Sequence, residues 1–152
     1  MAWIIILTFC IILGLVVIAS IFAPKDKLPS NVIDLETLKN VIHESWDKDT
    51  CLPSLSDIWK KERPSFGQSA ATALVVQDYL GGVILYCEHF DYYWNCIDDK
   101  ELDLCRDEFI LKMSPCPDFV IINRDKILHR VKTQYETLKT RVEQKIAEIV
   151  RQ

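Results

Sequence analysis

The chain has 152 residues, which suffices for one compact domain and an appended segment but excludes two full domains. Its formal net charge is -4 at pH 7, and no stripe of Lys and Arg with interleaved aromatic residues precedes the last predicted helix, which argues against nucleic-acid binding. Hydrophobic residues make up 49% of the chain, and many of them fall in the first 23 positions.

The first segment has no charged residue between Ala2 and Ala23. A run of about 20 apolar residues is what a helix needs to cross a bilayer, so we predict a transmembrane helix at residues 3–22, in an anchor domain at 1–23. A cleaved signal peptide is the alternative, but the start lacks a basic region and the apolar run is long for one. Lys25 and Lys27 follow the span, which favours a single-pass membrane protein with a cytoplasmic domain.

Cysteine usage agrees with a reducing compartment. Cys10 lies in the predicted span and no C-x-x-C pair for zinc occurs. We therefore predict that the remaining thiols are reduced and mostly buried, and we predict neither a metal site nor a cofactor. These thiols are Cys51, Cys87, Cys96, Cys105 and Cys116.

A linker is predicted at 24–33, followed by an α+β domain at 34–152. Asp34 is a good N-cap for a first helix whose apolar residues recur at helical spacing up to Trp46, with His43 on the solvated face. A loop-rich stretch with a short helical turn near 55–60 comes next. The segment from Ser69 to Leu80 is apolar nearly all round, which predicts a central buried helix capped by Ser69 and ended by Gly81 and Gly82.

After the glycines the hydrophobic period changes to two, which predicts antiparallel strands at 83–90, 92–97 and 101–105 and a further strand near 120–122. A long helix follows at 125–152. Its apolar seam is short for a coiled coil, so we expect it to pack on the domain, while a homo-oligomer formed through this helix stays open. The seam contains Leu128, Val131, Tyr135, Leu138, Val142 and Ile149.

A long apolar helix with an exposed N-terminus, followed by antiparallel strands, is the arrangement of papain-like thiol hydrolases. There the helix N-terminus lowers the pKa of the nucleophile, and neighbouring strands supply a base and the residue that orients it. In this chain the arrangement predicts Ser69 at the nucleophile position. It predicts the base position in the "YYWN" strand and Asp103 as the residue that orients the base.

The residues themselves resemble a known family. The stretches "ESWDKDTCLPSLSDIW", "PSFGQSAATALVVQDYLGG", "YYWN", "ELDL" and "YETLKTRV" resemble, in order, motifs of the YunG-like family of small bacterial proteins. The resemblance covers roughly residues 38–142 and implies a papain-like fold. The predicted transmembrane segment is not part of the family pattern.

Three positions depart from that pattern. The family has T-C-H-P-S, G-Q-C and H-Y-W-N where this chain has "TCLPS", "GQS" and "YYWN", so Leu52, Ser69 and Tyr92 replace a histidine, the cysteine and the strand histidine. Gln68, at the oxyanion position, remains. A serine hydroxyl needs an adjacent base, and a tyrosine with a pKa of about 10 is a poor base at neutral pH.

Three functions follow as hypotheses. The first is a membrane-anchored pseudoenzyme that holds an unknown protein or peptide in the remnant cleft between Ser69, Gln68 and the "YYWN" strand. The second is an active amide, ester or thioester hydrolase that uses Ser69 or Cys51, with His89 brought round as base by a turn at "EHFDY". The third is a membrane-associated structural or assembly protein that pairs through its C-terminal helix.

Overall fold

The computed structural model describes residues 33–106, 116 and 118–151, and Ile33–Gln152 forms a compact unit. Short 3₁₀ turns at Lys48–Thr50, Ser56–Ile58 and Glu88–Phe90 connect its regular elements. The helices and strands are, in chain order, α1 (Leu35–His43), α2 (Ser69–Leu80), β1 (Val83–Cys87), β2 (Tyr92–Ile97), β3 (Lys100–Leu102), β4 (Phe119–Ile122) and α3 (Arg124–Val150).

The strands form a four-stranded antiparallel sheet in the order β3-β2-β1-β4. Helix α2 lies against β2, and α3 packs on α2. Eight residues of α2, from Ser69 to Val76, are buried, as the uninterrupted apolar sequence predicts for a central helix. The prediction of an α+β domain with a buried central helix and a long C-terminal helix is confirmed.

Two strands are shorter than predicted, for local reasons. β1 ends at Cys87 because Glu88–Phe90 makes a 3₁₀ turn, and Asp91 then takes a left-handed backbone conformation with φ 48°. β3 ends at Leu102 because the side chain of Asp103 accepts a hydrogen bond from the backbone N–H of Cys105, which turns the chain. Neither turn contains the glycine or proline that marks a turn in a sequence.

The apolar seam of α3 lies inside the domain. Its buried residues include Val131, Tyr135, Leu138 and Val142, so the prediction that this helix packs on the domain is confirmed for those positions. Ile146 and Ile127 complete the buried stripe, whereas the predicted seam residue Ile149 is exposed. The exposed face that remains is polar for most of its length, which gives a second helix little apolar surface to pair with.

The localisation predicted from the sequence requires a correction. In the part of the chain that the structure describes, every helix is too short or too polar to cross a bilayer. The predicted span, residues 3–22, lies outside the described residues, as does most of the predicted linker. The structure thus gives no basis for a single-pass membrane protein, and that prediction is wrong on this finding.

The prediction of reduced thiols is also wrong for two cysteines. Cys87, at the end of β1, forms a disulfide with Cys116, which lies 29 residues further along the chain. The bond ties the segment before β4 to the strand that β4 pairs with. Cys51, Cys96 and Cys105 take no part in this disulfide, and two of them, Cys51 and Cys105, are buried as predicted.

Candidate functional site

The start of α2 is built by a close contact between two loops. The N–H of Leu52 donates to the carbonyl of Gly67 at 2.7 Å, which joins "TCLPS" to "FGQS". Gly67 has φ +70°, and a Cβ at this position would lie 2.5 Å from Cys51 Sγ. Glycine is therefore needed here both for the left-handed backbone and for the close approach of the loops.

Ser69 is the first residue of α2 and is only 2% exposed. The prediction that Ser69 caps the helix is wrong. Because Gly67 turns the chain first, Gln68 already has helical dihedral angles (φ -93°, ψ -12°) and occupies the N-cap position. The carbonyl of Gln68 accepts the first helical hydrogen bond, from the N–H of Thr72 at 3.0 Å, so Ser69 lies within the first turn instead of flanking it.

Gln68, the predicted oxyanion residue, is fully buried. Its Nε2 donates to the carbonyl of Asp47 at 2.9 Å, while its Oε1 has no hydrogen-bond partner among the described residues. One of the two N–H groups of this side-chain amide thus holds the 47–50 turn against the start of α2. Trp46 makes a second such link, because its indole N–H donates to Thr72 Oγ1 at 2.9 Å.

The predicted base position and the predicted orienter do meet. The Tyr92 hydroxyl donates to Asp103 Oδ1 at 2.7 Å, and the N–H of Cys105 donates to the same oxygen at 3.1 Å. Arg106 Nε lies 3.4 Å from Asp103 Oδ2. Burial raises the pKa of Asp103 above its ordinary value, although the hydrogen bond from Tyr92 acts in the opposite direction. The two residues that the sequence analysis predicted as base position and orienter are thus hydrogen-bonded, with a phenol where the family pattern has an imidazole.

The sheet separates Tyr92 from the helices. Asn95 Nδ2 donates to the carbonyl of Ala73 in α2, and the Tyr93 hydroxyl contacts Arg130 of α3 at 2.6 Å. Tyr93 and Asn95 therefore define the face of β2 that the helices cover. Since side chains alternate along a strand, Tyr92 and Trp94 lie on the opposite face. No hydrogen bond joins Ser69 to Tyr92 in the described structure.

The remaining predicted residues take structural positions. Trp94 donates from its indole N–H to Glu101 at 3.0 Å. Asn95 anchors the predicted strand to α2. His89 is exposed in the turn between β1 and β2, with its ring 4.6 Å from that of Phe90. The turn predicted at "EHFDY" exists, but no contact between His89 and Ser69 is formed among the described residues.

Of two further residues, Cys51 is buried as predicted and His43 departs from its predicted surroundings. The Cys51 thiol is 1% exposed and donates to the carbonyl of Phe66 at 3.4 Å. His43 is half-buried, not solvated: its Nε2 lies 3.2 Å from the carbonyl of Leu104, and its ring stacks on Trp46. The sequence could not indicate this contact, because Leu104 follows His43 by 61 residues.

A network centred on Asp91 was not predicted. Arg130 donates to both carboxylate oxygens of Asp91 at 2.8 Å, and the hydroxyls of Tyr86 and Tyr93 also contact Asp91. The hydrogen bonds from Arg130 hold the pKa of Asp91 below its ordinary value, and burial raises the pKa of Tyr86. The network pins the β1–β2 turn to α3, and this role is structural.

Among the described residues, no hydrogen bond joins Ser69 to a histidine. They also contain no group of three His, Cys, Asp or Glu side chains that could hold a metal ion. Fold and site together define a small α+β domain in which Leu52, Gln68, Ser69 and Tyr92 are buried.

Comparison with known proteins places this domain in a family. The model of the family described as YunG protein matches residues 34–147, so the chain belongs to the YunG family. The uncharacterized protein YunG of Bacillus subtilis (strain 168) is 31% identical over 77 residues, which make up 49% of this chain. The match spans 63% of that relative's length. No solved structure matches the chain.

Proposed function

We propose that this YunG domain is a catalytically degenerate domain of the papain-like type that acts by binding another molecule and does not cleave one. The observation that carries the proposal is the burial of Ser69 at the start of α2, where it is 2% exposed and has no hydrogen bond to a histidine among the residues that the structure describes. A hydroxyl nucleophile must be accessible to a substrate that arrives from solvent, and it needs a general base beside it. Ser69 meets neither requirement among the described residues.

The pair formed by Tyr92 and Asp103 supports the same conclusion. Asp103 accepts from a tyrosine hydroxyl, which does not take up a proton near neutral pH. Leu52, where the family pattern has a histidine, is buried in the hydrophobic core. Two positions that could supply a base thus serve packing and hydrogen bonding.

An active hydrolase has less support. His89 lies in an exposed turn against Phe90, and the Cys51 thiol is turned toward a backbone carbonyl in the interior. The remnant cleft that the sequence predicts is also filled, because Gln68, Ser69 and Tyr92 are all buried. The proposed binding therefore uses another surface of the domain.

Chemical labelling of the native full chain tests the proposal. A fluorophosphonate should leave Ser69 unmodified, and iodoacetamide should modify Cys51 only after unfolding. Cys96 is a free cysteine of intermediate exposure and serves as the internal control, because it should react in the native protein. Labelling of Ser69, or alkylation of Cys51 faster than Cys96 at neutral pH, would show a working nucleophile and refute the proposal.

A further inference from the structure

The disulfide between Cys87 and Cys116 has one buried end and one accessible end. Cys87 is fully buried, whereas Cys116 is half-buried and lines a surface cavity of about 670 Å³, the Cys116 cavity. A thiol that arrives from solvent can therefore reach the sulfur of Cys116 but not that of Cys87. Disulfides with an accessible sulfur are the ones that exchange with other thiols, because the rate depends on which sulfur can be attacked.

The walls of the Cys116 cavity carry acidic side chains. Glu88 and Asp118 line it and are exposed, and neither carboxylate forms an ion pair with a described residue. His89 also lines it, with its ring 4.6 Å from that of Phe90. Two uncompensated carboxylates beside the accessible sulfur attract a cation and repel an anion. The cavity therefore suits a thiol that carries a positive charge.

We propose that the Cys116 cavity is a site of thiol–disulfide exchange for small cationic thiols, and that the disulfide is a reversible covalent tie on β4. The thiolate of the incoming molecule attacks Cys116 Sγ, forms a mixed disulfide there and breaks the bond to Cys87, which leaves as a thiolate. A second molecule of the thiol then attacks the sulfur of the first and releases Cys116. Two thiols are thus oxidised to one disulfide, and their two protons pass to the two reduced cysteines.

The tie acts on the first half of β4. The disulfide joins Cys116 to Cys87, whose register partner is Phe119, so it closes the ladder between β1 and β4 at this end. The side chains of Phe119, Val120 and Ile121 are 44%, 58% and 68% exposed. Because they bury little apolar area, the main-chain hydrogen bonds of the ladder are the chief remaining support of this half once the disulfide is reduced.

The other end of β4 is held independently of the disulfide. Ile122 pairs with Ile84, which is fully buried, and Arg124 donates to the carbonyl of Leu74 at 3.1 Å. Reduction therefore releases β4 from Phe119 onward and leaves its last residue paired. This inference goes beyond the proposed function, because the reacting sulfur is that of Cys116 and no step involves the start of α2.

The rate at which thiols reduce the native full chain tests the site. The probes are cysteamine, which is cationic, and 2-mercaptoethanesulfonate, which is anionic, each normalised to its rate with a small uncharged disulfide. Cysteamine should react about fivefold faster, and high salt and Glu88→Gln should each reduce this preference. Glu62→Gln is the matched control, because Glu62 is exposed and lies outside the cavity; it should leave the preference unchanged.

Proton–proton contacts in NMR spectra test the tie. In the oxidised chain Tyr86 and Val120, which are register partners, should be in contact. Reduction should remove this contact and keep the one between Leu85 and Trp94, which joins β1 to β2. Cys116→Ser, which cannot form the disulfide, should show the pattern of the reduced chain without any reductant.

Three results would overturn the proposal. Equal normalised rates for the two thiols, or a preference that Glu88→Gln leaves intact, would mean that the attack does not take place in the Cys116 cavity. A contact between Tyr86 and Val120 that persists in both the reduced chain and Cys116→Ser would show that the disulfide does not hold β4. Loss of the contact between Leu85 and Trp94 as well would show unfolding of the whole domain in place of a local release.

Discussion

The hydroxyl of Tyr92 and the carboxylate of Asp103 are joined by a 2.7 Å hydrogen bond on the sheet face that α2 does not cover. Tyr92 stands where the family pattern has a histidine, and its hydroxyl makes a specific hydrogen bond at this position. Here it gives Asp103, whose pKa is raised by burial, a neutral donor. The position is thus retained for stability, since a buried acceptor without a donor is costly.

Tyr92→Phe should therefore destabilise the domain by about 1–3 kcal/mol, because it leaves Asp103 Oδ1 with one donor fewer in the interior. Urea unfolding measures the change. Tyr86→Phe is the matched control: its hydroxyl contacts the half-exposed Asp91 at 3.2 Å, so its loss should cost less. An equal or larger loss in Tyr86→Phe would contradict the structural role assigned to Tyr92.

The pair formed by Asp91 and Arg130 predicts a dependence of stability on pH. The hydrogen bonds from Arg130 hold the pKa of Asp91 below its ordinary value of 3.8, so the folded state binds the proton less tightly than the unfolded state. The stabilisation is present above pH 3.8 and is lost as the pH falls through the lowered pKa. Because both side chains are more than a third exposed, solvent screening limits the effect to about 1 kcal/mol.

Asp91→Asn should remove this contribution at pH 7. At a pH below the lowered pKa of Asp91 the variant should be as stable as the original chain, and urea unfolding at both pH values measures the difference. Asn is suited to this test because it tolerates the left-handed backbone of Asp91. Asp99→Asn is the control, since Asp99 also has a positive φ of 60° and forms no ion pair with a described residue. Equal losses in both variants would show that the backbone, not the ion pair, is responsible.

Alanine substitutions at Gly81 and Gly67 distinguish the cost of backbone strain from the cost of a steric clash. Gly81 has φ 74° and ψ -145°, a backbone conformation that is essentially restricted to glycine, and open space around it, so Gly81→Ala should cost about 1–3 kcal/mol for backbone strain alone. At Gly67 the new Cβ would also meet Cys51 Sγ at 2.5 Å, which adds about 1–3 kcal/mol of overpacking. Unfolding midpoints compare the two, and a Gly67→Ala variant no worse than Gly81→Ala would refute the close loop contact.

The disulfide should contribute about 3–4 kcal/mol to the free energy of unfolding, the amount expected for a closed loop of roughly 30 residues. Under oxidising conditions Cys116→Ser should lower that free energy by the same amount. Adding a reductant to this variant should then cause no further loss. Cys96→Ser, which changes a free cysteine, should have a much smaller effect. Equal stability of the original chain with and without reductant would show that Cys87 and Cys116 are not joined in solution.

The sequence predicted those elements that local patterns define. The buried helix begins at Ser69 and ends before Gly81 as predicted, and β2 has the predicted bounds of Tyr92 and Ile97. In both segments the bounds are marked by nearly uninterrupted apolar residues that end at Gly81 and Gly82 or at Asp98 and Asp99. The early ends of β1 and β3 were missed because a single side chain, that of Asp103, and a left-handed Asp91 decide them.

The site was predicted less well, since its geometry depends on distant contacts. The sequence identified Tyr92 and Asp103 as partners, but the strand face on which they lie is fixed by Asn95 and Tyr93 contacting the helices. The disulfide was missed because Cys87 and Cys116 are brought together only by the pairing of β1 with β4. A composition with an odd number of cysteines outside the first segment gave no indication of that pairing.

Ser69 provides the last prediction. Because Ser69 lies in the first turn of α2 and not at the N-cap position, and because alanine has the higher helix propensity, Ser69→Ala should change the stability by less than about 1 kcal/mol. Any phenotype that requires the intact chain should persist in this variant at equal protein abundance. Ser69→Cys should not gain hydrolytic activity, because the residue remains buried and Tyr92 lies on the far side of the sheet with no imidazole beside the new thiol. If Ser69→Ala abolishes the phenotype while the domain stays folded, the hydroxyl acts directly on a substrate or ligand, and the assignment of this position to structure alone is refuted.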